Sequence, residues 1–486
     1  MLALVAAGCG GGGGGSGGSS AGGDTALPAG ASIVPASAPV VVVANSDFSS
    51  DQWQKITALF DKFPDGDQLL AQVEQSLNGV KLSDVKDVLG PEVDVAVLSV
   101  ENGGSAVVMT QPKDKEKLKA LLAKSDQPSV TEDVGDWTVV ADKQATLDQF
   151  DQARKDGTID GSSSFKDALK EVPSDPAAYV YVNGKAVQDA LDNALSQTGL
   201  KTSTSDSIGT LDWAVASAQA HDNGVSVAGD AHASLKNAAQ SYHPALPDEL
   251  PSGALAYVSF AHLDQPVEQL YKALEDASPS FKTQLGQAEG LLGFSIENDI
   301  LPIFSGEGAL AVYPSTQKAK GLSVPDIVFV QNVSDESKVR SLIDRLSSLL
   351  TVSGSVTVTP TTVAGVSAQK FEYEGITVYA AVFDGKLVVT NSTSVIDGIH
   401  GGSQGKLSDD ALYEQAADAA GLPSDVLGLV YLNLKDGLPA VFDLAEQTGS
   451  TVPKSARDNT APLQTALFYS TADGNDYRVG GFVTIK

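Results

Sequence analysis

The hydrophobic positions of this chain fall into short strand-like runs broken by amphipathic segments, and the order of these elements is written twice. An apolar run at 39–45 is followed by Trp53, Ile56, Phe60 and Phe63 at helical spacing. A second run at 254–261 is followed in the same way by Val267, Leu270, Tyr271 and Leu274. Each copy then predicts a short helix (83–89; 295–304), a hairpin (93–99 with 105–110; 307–313 with 326–332) and an amphipathic helix. Val339, Leu342, Ile343, Leu346 and Leu350 line one face of the second-copy helix behind Ser334 as its N-cap, and Leu118, Leu121 and Leu122 are the first-copy counterpart.

The copies diverge next. Four alternating runs, 354–359, 367–373, 376–383 and 386–391, follow in the second copy, with an Asp384-Gly385 turn between the last two. The first copy compresses this region to 129–133 and 137–142, as though a hairpin had been lost. Each copy closes with a helix, a strand (177–183; 427–433), another helix and a terminal hairpin. Asn223-Gly224 predicts a type I′ turn for the hairpin 212–221/225–234, whose counterpart is 464–471/476–485. Hairpins with helices between them read as α+β with largely antiparallel sheets. Repetition on this scale predicts two related modules, 38–240 and 250–486, each large enough to bury its own core. Residues 10–37 form a Gly/Ser/Ala/Pro tether ahead of them.

The chain has 486 residues and a net charge of −29. That balance excludes a nucleic-acid partner, because phosphate contacts need clustered Lys and Arg. A solvated acidic surface suits a soluble extracytoplasmic body. No apolar run reaches the length of a membrane-spanning helix. One cysteine, Cys9, means no disulfide framework and no Cys-based metal site. It follows a short apolar run ending in Ala7 and Gly8 and precedes the Gly-rich tract 10–23. This resembles the bacterial lipobox, in which the signal peptide is cut before a cysteine that receives a diacylglycerol, although Ala6 stands where that motif usually has Leu. Residues 2–8 are short for an export segment, and the first basic residue is Lys55. A basic region upstream of residue 1 is therefore expected. The resemblance implies a membrane partner through acylated Cys9, with the body on the outer face.

Chemistry is sparse. Gly401-Gly402-Ser403-Gln404-Gly405 matches a nucleophile elbow by letter and sits beside His400, but it closes a helical stretch and reads as a helix-ending loop. The same pattern around Ser16 lies in the tether. His221, His232, His243, His262 and His400 form no metal-ligand spacing, and His232 pairs with Trp213 across the predicted hairpin. The segment 61–67 fails as a calcium loop because Phe63 stands where an oxygen ligand belongs and Gln72 where the bidentate Glu belongs. No cofactor or metal is expected.

Two acidic pairs recur in both copies, Asp87 with Asp299 and Glu92 with Glu307. Paired carboxylates could serve as general acid and base. The structural reading places Asp87 and Asp299 on the exposed side of a short helix, and Glu92 and Glu307 at a strand start, accepting backbone N–H groups.

The opening strand after the Leu- and Pro-rich lead-in 246–258, the element 297–311 and the strand running into the helix of Val339 and Leu342 together resemble a bacterial family of secreted or lipid-anchored proteins catalogued as domain of unknown function 3352. The likeness rests on packing and turns, so the resemblance implies no mechanism. The expectation is a non-enzymatic, membrane-anchored envelope protein that binds an apolar ligand or an envelope protein. Carriage of a lipid between sheet and helices is one form of it; an envelope enzyme whose site is assembled from distant residues is the alternative.

Overall fold

The computed structural model describes residues 26–68, 71, 81–100, 104–124, 128–197, 203–205, 209–236, 239–319, 321–353, 356–402 and 404–486. Cys9 and Ser403 lie outside them. The chain divides into two compact units, the first holding Met1–Ala239, Ala420–Leu422 and Tyr469–Lys486, the second Gln240–Ala419 and Pro423–Phe468.

Both units are α+β, with antiparallel sheets. The strands of the first unit are β1 (Val40–Asn45), β2 (Glu92–Ser99), β3 (Ser105–Thr110), β4 (Val130–Val134), β5 (Trp137–Ala141), β6 (Ala178–Asn183), β7 (Gly209–His221) and β8 (Gly224–Leu235). Their order across the sheet is β4-β5-β3-β2-β1-β6-β7-β8, and the C-terminal strand Asp476–Ile485 pairs with β8. The module boundary drawn at 250–486 therefore differs from the compact units: the last strand of the chain completes the first sheet.

The second unit contributes β9 (Ala256–Phe260), β10 (Gly308–Ala319), β11 (Leu322–Asn332), β12 (Thr357–Val363), β13 (Val366–Tyr373), β14 (Ile376–Phe383), β15 (Lys386–Thr390) and β16 (Gly428–Asn433). Their order is β12-β13-β14-β15-β11-β10-β9-β16. Position for position, β1 and β9 are central, each flanked by its following hairpin and by a late strand, β6 or β16. The hairpin β12–β13 has no counterpart among the described residues of the first unit. The helix before it, Glu336–Ser353, has 18 residues, where the helix Lys115–Leu122 has 8.

One face of each sheet is fully covered. In the first unit Val41, Val43, Ala96, Val107, Met109, Tyr179 and Tyr181 meet Phe150, Phe165 and Leu169 from the helices Gln144–Lys155 and Ser163–Leu169. Tyr181 stands edge-on to Phe165 at 5.0 Å. Tyr431, its counterpart in β16, stands edge-on to Tyr413 at 5.1 Å. Such pairs combine large area burial with favourable ring geometry.

Local signals set the turns unequally. Asp384 and Gly385 both have positive φ (50° and 72°), and Phe383 pairs with Lys386, so the expected type I′ turn is there. The β7–β8 turn departs from expectation. His221 pairs with Gly224, so its loop is Asp222-Asn223, and neither has positive φ. Gly224 is needed for another reason: a Cβ there would stand 2.0 Å from the Val483 carbonyl oxygen. The second-copy helix is capped by Asp335, whose carboxylate accepts the Lys338 amide at 3.0 Å, one residue beyond the expected Ser334.

Candidate functional site

The repeated acidic residues resolve into distinct roles. Asp87 caps the C-terminal end of the short helix Leu82–Lys86 and is exposed. Asp299 is half-buried, and its carboxylate accepts the Ser295 amide at 2.8 Å, closing its own turn. Glu92 and Glu307 do the same job in their two units. Glu92 opens β2 and accepts the amides of Ala29 (3.3 Å) and Gly30 (2.9 Å) in the lead-in turn Ala29–Ser32. Glu307, just before β10, accepts those of Ala245 (2.9 Å) and Leu246 (3.2 Å) at the turn Leu246–Asp248, and the Ser259 hydroxyl at 3.2 Å. Burial raises the Glu307 pKa, and the amide donors pull it back. Each carboxylate thus fastens the segment leading into its unit.

Replacing Glu92 or Glu307 by alanine strands two backbone donors. The expected loss is about 1–3 kcal/mol per variant. Glutamine, which keeps an acceptor oxygen, should recover part of it. Thermal unfolding by circular dichroism checks this; an unchanged melting temperature would return both residues to the catalytic reading.

Beside Glu92 lies a carboxyl that periodicity did not single out. Asp94 is 0% exposed and shares a cross-strand row with Val43 and Tyr179 on the buried face of the sheet. No donor reaches either of its oxygens among the described residues. Burial, then the neighbouring Glu92 charge, push its pKa up to about 9. At neutral pH Asp94 therefore holds a proton, which it donates to the Glu92 carboxylate. The Tyr179 hydroxyl is buried with no hydrogen-bond partner among the described residues, and its pKa is raised by burial and by these two carboxyls. The only sequence signal for Asp94 was its inward parity with Ala96 along β2.

The second unit differs from the first on the other face of its sheet. Val95 of β2 and Leu310 of β10 occupy the same place, three residues after Glu92 and Glu307. Val95 is 8% exposed, whereas Leu310 is 41% exposed and Ile327, on the neighbouring strand, 44%. Leu310 lies in register with Val258 and Phe329, so this is an apolar surface in the middle of a sheet. Helices Asp264–Ala277, Glu336–Ser353 and Leu434–Gln447 belong to this unit, and exposed apolar residues lie on them at Val267, Leu274 and Val441. Ile303, Val339 and Val382 make one closed cluster. Beyond it, a cleft of about 430 Å³ lies between helix Glu336–Ser353 and β12–β14.

The remaining sequence candidates are structural. Trp213 and His232 stack at 6.3 Å as a registered pair, and His232 also bonds Asp476 at 2.6 Å. The helix Thr393–Gly401 ends at Gly402 in the left-handed conformation, as the helix-ending reading expects.

Residues 117–465 match the family described as "Protein of unknown function (DUF3352)", and the chain belongs to that family. No curated protein matches it. Among solved structures it is similar to three crystal forms of TP0453. Form I has 9% identity and a TM-score of 0.24, covering 44% of this chain and 81% of that one. Form III has 10% identity and a TM-score of 0.21, covering 43% and 80%. Form IV has 8% and 0.23, covering 42% and 81%.

Proposed function

We propose that this protein is a non-enzymatic binding protein of the cell envelope, anchored through Cys9 to the outer face of a membrane, that holds an apolar molecule against the open apolar face of its second sheet. The observation that carries this reading is the open apolar surface at Leu310 and Ile327. A side chain as large as leucine, left two-fifths exposed at mid-sheet, forgoes transfer free energy of about 25 cal/mol per Å². An apolar ligand would recover it. Pockets that are largely apolar with a few polar groups are the usual form of small-molecule sites. Glu92 and Glu307 have structural work in this reading, as do Asp87 at a helix end and Asp299 in its own turn.

The test is native mass spectrometry with organic extraction on residues 25–486, purified from the native envelope without detergent. The expected result is a stoichiometric co-purifying apolar molecule. A clean apo mass, with no binding of added amphiphiles, would overturn the reading and turn attention to a protein partner.

A further inference from the structure

The longer helix and the extra hairpin of the second unit enclose the cleft of about 430 Å³. That volume is in the usual range for small-molecule sites, about 300–1,000 Å³. Val382 packs under Val339 and Ile343, so alternate residues of β14 face the helix, and Ala380 is the next of them. Pairing carries this face across the hairpin: Ala380 lies opposite Gln369, and Gln369 opposite Pro360. Two residues along, Ser367 lies opposite Thr362. The floor therefore offers one amide and two hydroxyls among small apolar side chains. The helix roofs it with Arg340, Ile343 and Asp344.

The two charges of the roof differ in what they leave free. Arg340 is committed: its guanidinium donates to Glu336 at 2.8 Å, and Glu336 also accepts the Gly385 amide at 2.6 Å. Toward the cleft that pair is neutral. Asp344 is unbalanced. Its carboxylate accepts only the uncharged Gln369 amide, at 3.2 Å, and no cation lies within ion-pair distance of it among the described residues. The cleft thus carries one net negative charge, in a chain whose own charge of −29 draws cations toward it.

The donor set then narrows the occupant. One carboxylate supplies too few hard oxygens for calcium or magnesium, and the volume is far larger than an ion needs. The second ammonium of a polyamine would find no free carboxylate, because Glu336 is held by Arg340. An anion would meet Asp344 unshielded. One ammonium on a small, hydroxyl-bearing body fits: Asp344 takes the charge, and Gln369 Oε1, Thr362 and Ser367 take the hydroxyls. The first unit lacks both halves of this arrangement. Leu118, Leu121 and Leu122 stand where the second unit has Val339, Leu342 and Ile343, so the residue in the place of Asp344 is Ala123, the C-cap at which the shorter helix ends. Carboxylate and floor occur together in one unit and are both missing among the described residues of the other.

We propose that this cleft binds a small amino polyol, a molecule with one ammonium group on a hydroxyl-bearing body, its ammonium on Asp344 and its hydroxyls on Gln369, Thr362 and Ser367. It is a second site. The apolar face at Leu310 lies three strands away, across β15 and β11 on β10, so this proposal goes beyond the reading above and does not depend on it.

Saturation-transfer NMR on the full chain carrying Cys9→Ser tests it, with glucosamine, its uncharged N-acetyl derivative, glucuronate and spermidine titrated at low ionic strength. Glucosamine should bind about tenfold or more tighter than the N-acetyl compound, as one charge-assisted hydrogen bond requires. Its affinity should fall as salt is raised, and glucuronate should show no transfer. Asp344→Asn, which keeps an oxygen for Gln369 but removes the charge, should lower the glucosamine affinity about tenfold or more. Thr362→Trp, which fills the floor, should do the same. Both positions are exposed, so the melting temperature should stay unchanged. Asp87→Asn, at an exposed carboxylate of the first unit, should leave binding unaltered. Equal binding of glucosamine and its N-acetyl derivative overturns the ammonium assignment. Tighter binding of spermidine overturns the single-cation polyol. Glucosamine binding that survives either cleft variant overturns the site and leaves unspecific attraction to an acidic protein as its source. Failure to bind glucosamine at all overturns the proposal, whatever the mass of the protein from the envelope shows about an apolar ligand.

Discussion

Substituting Gly30 by alanine is expected to cost the first unit about 3 kcal/mol or more, an unusually large effect for one methyl group. Gly30 is buried in the lead-in turn, its amide donates to Glu92, and its carbonyl receives the amides of Ile33 and Val34. A Cβ on it would stand 1.6 Å from Asp94 Oδ2, 2.8 Å from Asp94 Cγ and 3.3 Å from Trp137. None of these atoms has solvent to move into. The turn must shift away, and Glu92 would then lose both amides while Asp94 lost its packing. The effect can be read without interference from the second unit, because all three tryptophans, Trp53, Trp137 and Trp213, lie in the first. Urea unfolding followed by tryptophan fluorescence should show a midpoint shift at constant slope. Gly161→Ala, with nothing within 4 Å of its Cβ position, should stay within about 0.5 kcal/mol. Combining Gly30→Ala with Asp94→Ala should recover part of the loss, since the clashing carboxyl is gone. A strictly additive double variant would sink this account of the clash.

The central strands were legible because they obey one rule twice over. Residues 39–45 and 254–261 are apolar on both faces, and in both units they sit between two neighbouring strands. The missing hairpin was also legible, as two alternating runs where the other copy has four. Glu92 and Glu307 could be predicted as acceptors of backbone amides because each stands where a strand begins. Their partners could not, since Ala29 and Gly30 lie more than sixty positions earlier. Asp94 was missed because a lone Asp between valines looks like an outward polar position; only the pairing with Val43 fixes it inward. The C-terminal strand reads from sequence as the partner of 464–471, whereas its bonds to β8 depend on long-range register that no local pattern encodes. The open surface at Leu310 was illegible for the same reason. Leu310 and Val95 are the same kind of residue at the same repeat position, and what separates them is how the helices close.

Asp94→Asn is expected to stabilise the first unit at neutral and alkaline pH, by an amount that grows with pH. The sign follows from where the proton sits. In the unfolded chain Asp94 titrates near 3.8, and in the folded unit near 9. Below about pH 4 both states hold the proton, and the group leaves stability unaffected by pH. Between about 4 and 9 only the folded state holds it, so each unit of pH removes up to about 1.4 kcal/mol of stability. Above about 9 the folded state loses its proton as well and the slope ends, with two carboxylates then side by side beneath the lead-in turn. Asparagine keeps the shape, can donate an N–H to Glu92 and has no proton to lose. Wild type and variant should therefore be nearly equal at pH 4–5 and separate by several kcal/mol toward pH 9, as read by tryptophan fluorescence in urea. The wild-type curve alone would not assign the slope. Asp230, raised to about 7 by burial and then by Glu171, contributes a slope of the same sign that ends near pH 7. The difference between the two proteins cancels that contribution. Parallel curves from pH 4 to 9 would mean that Asp94 is ionised in the folded unit, and that the carboxyl–carboxylate bond to Glu92 does not exist.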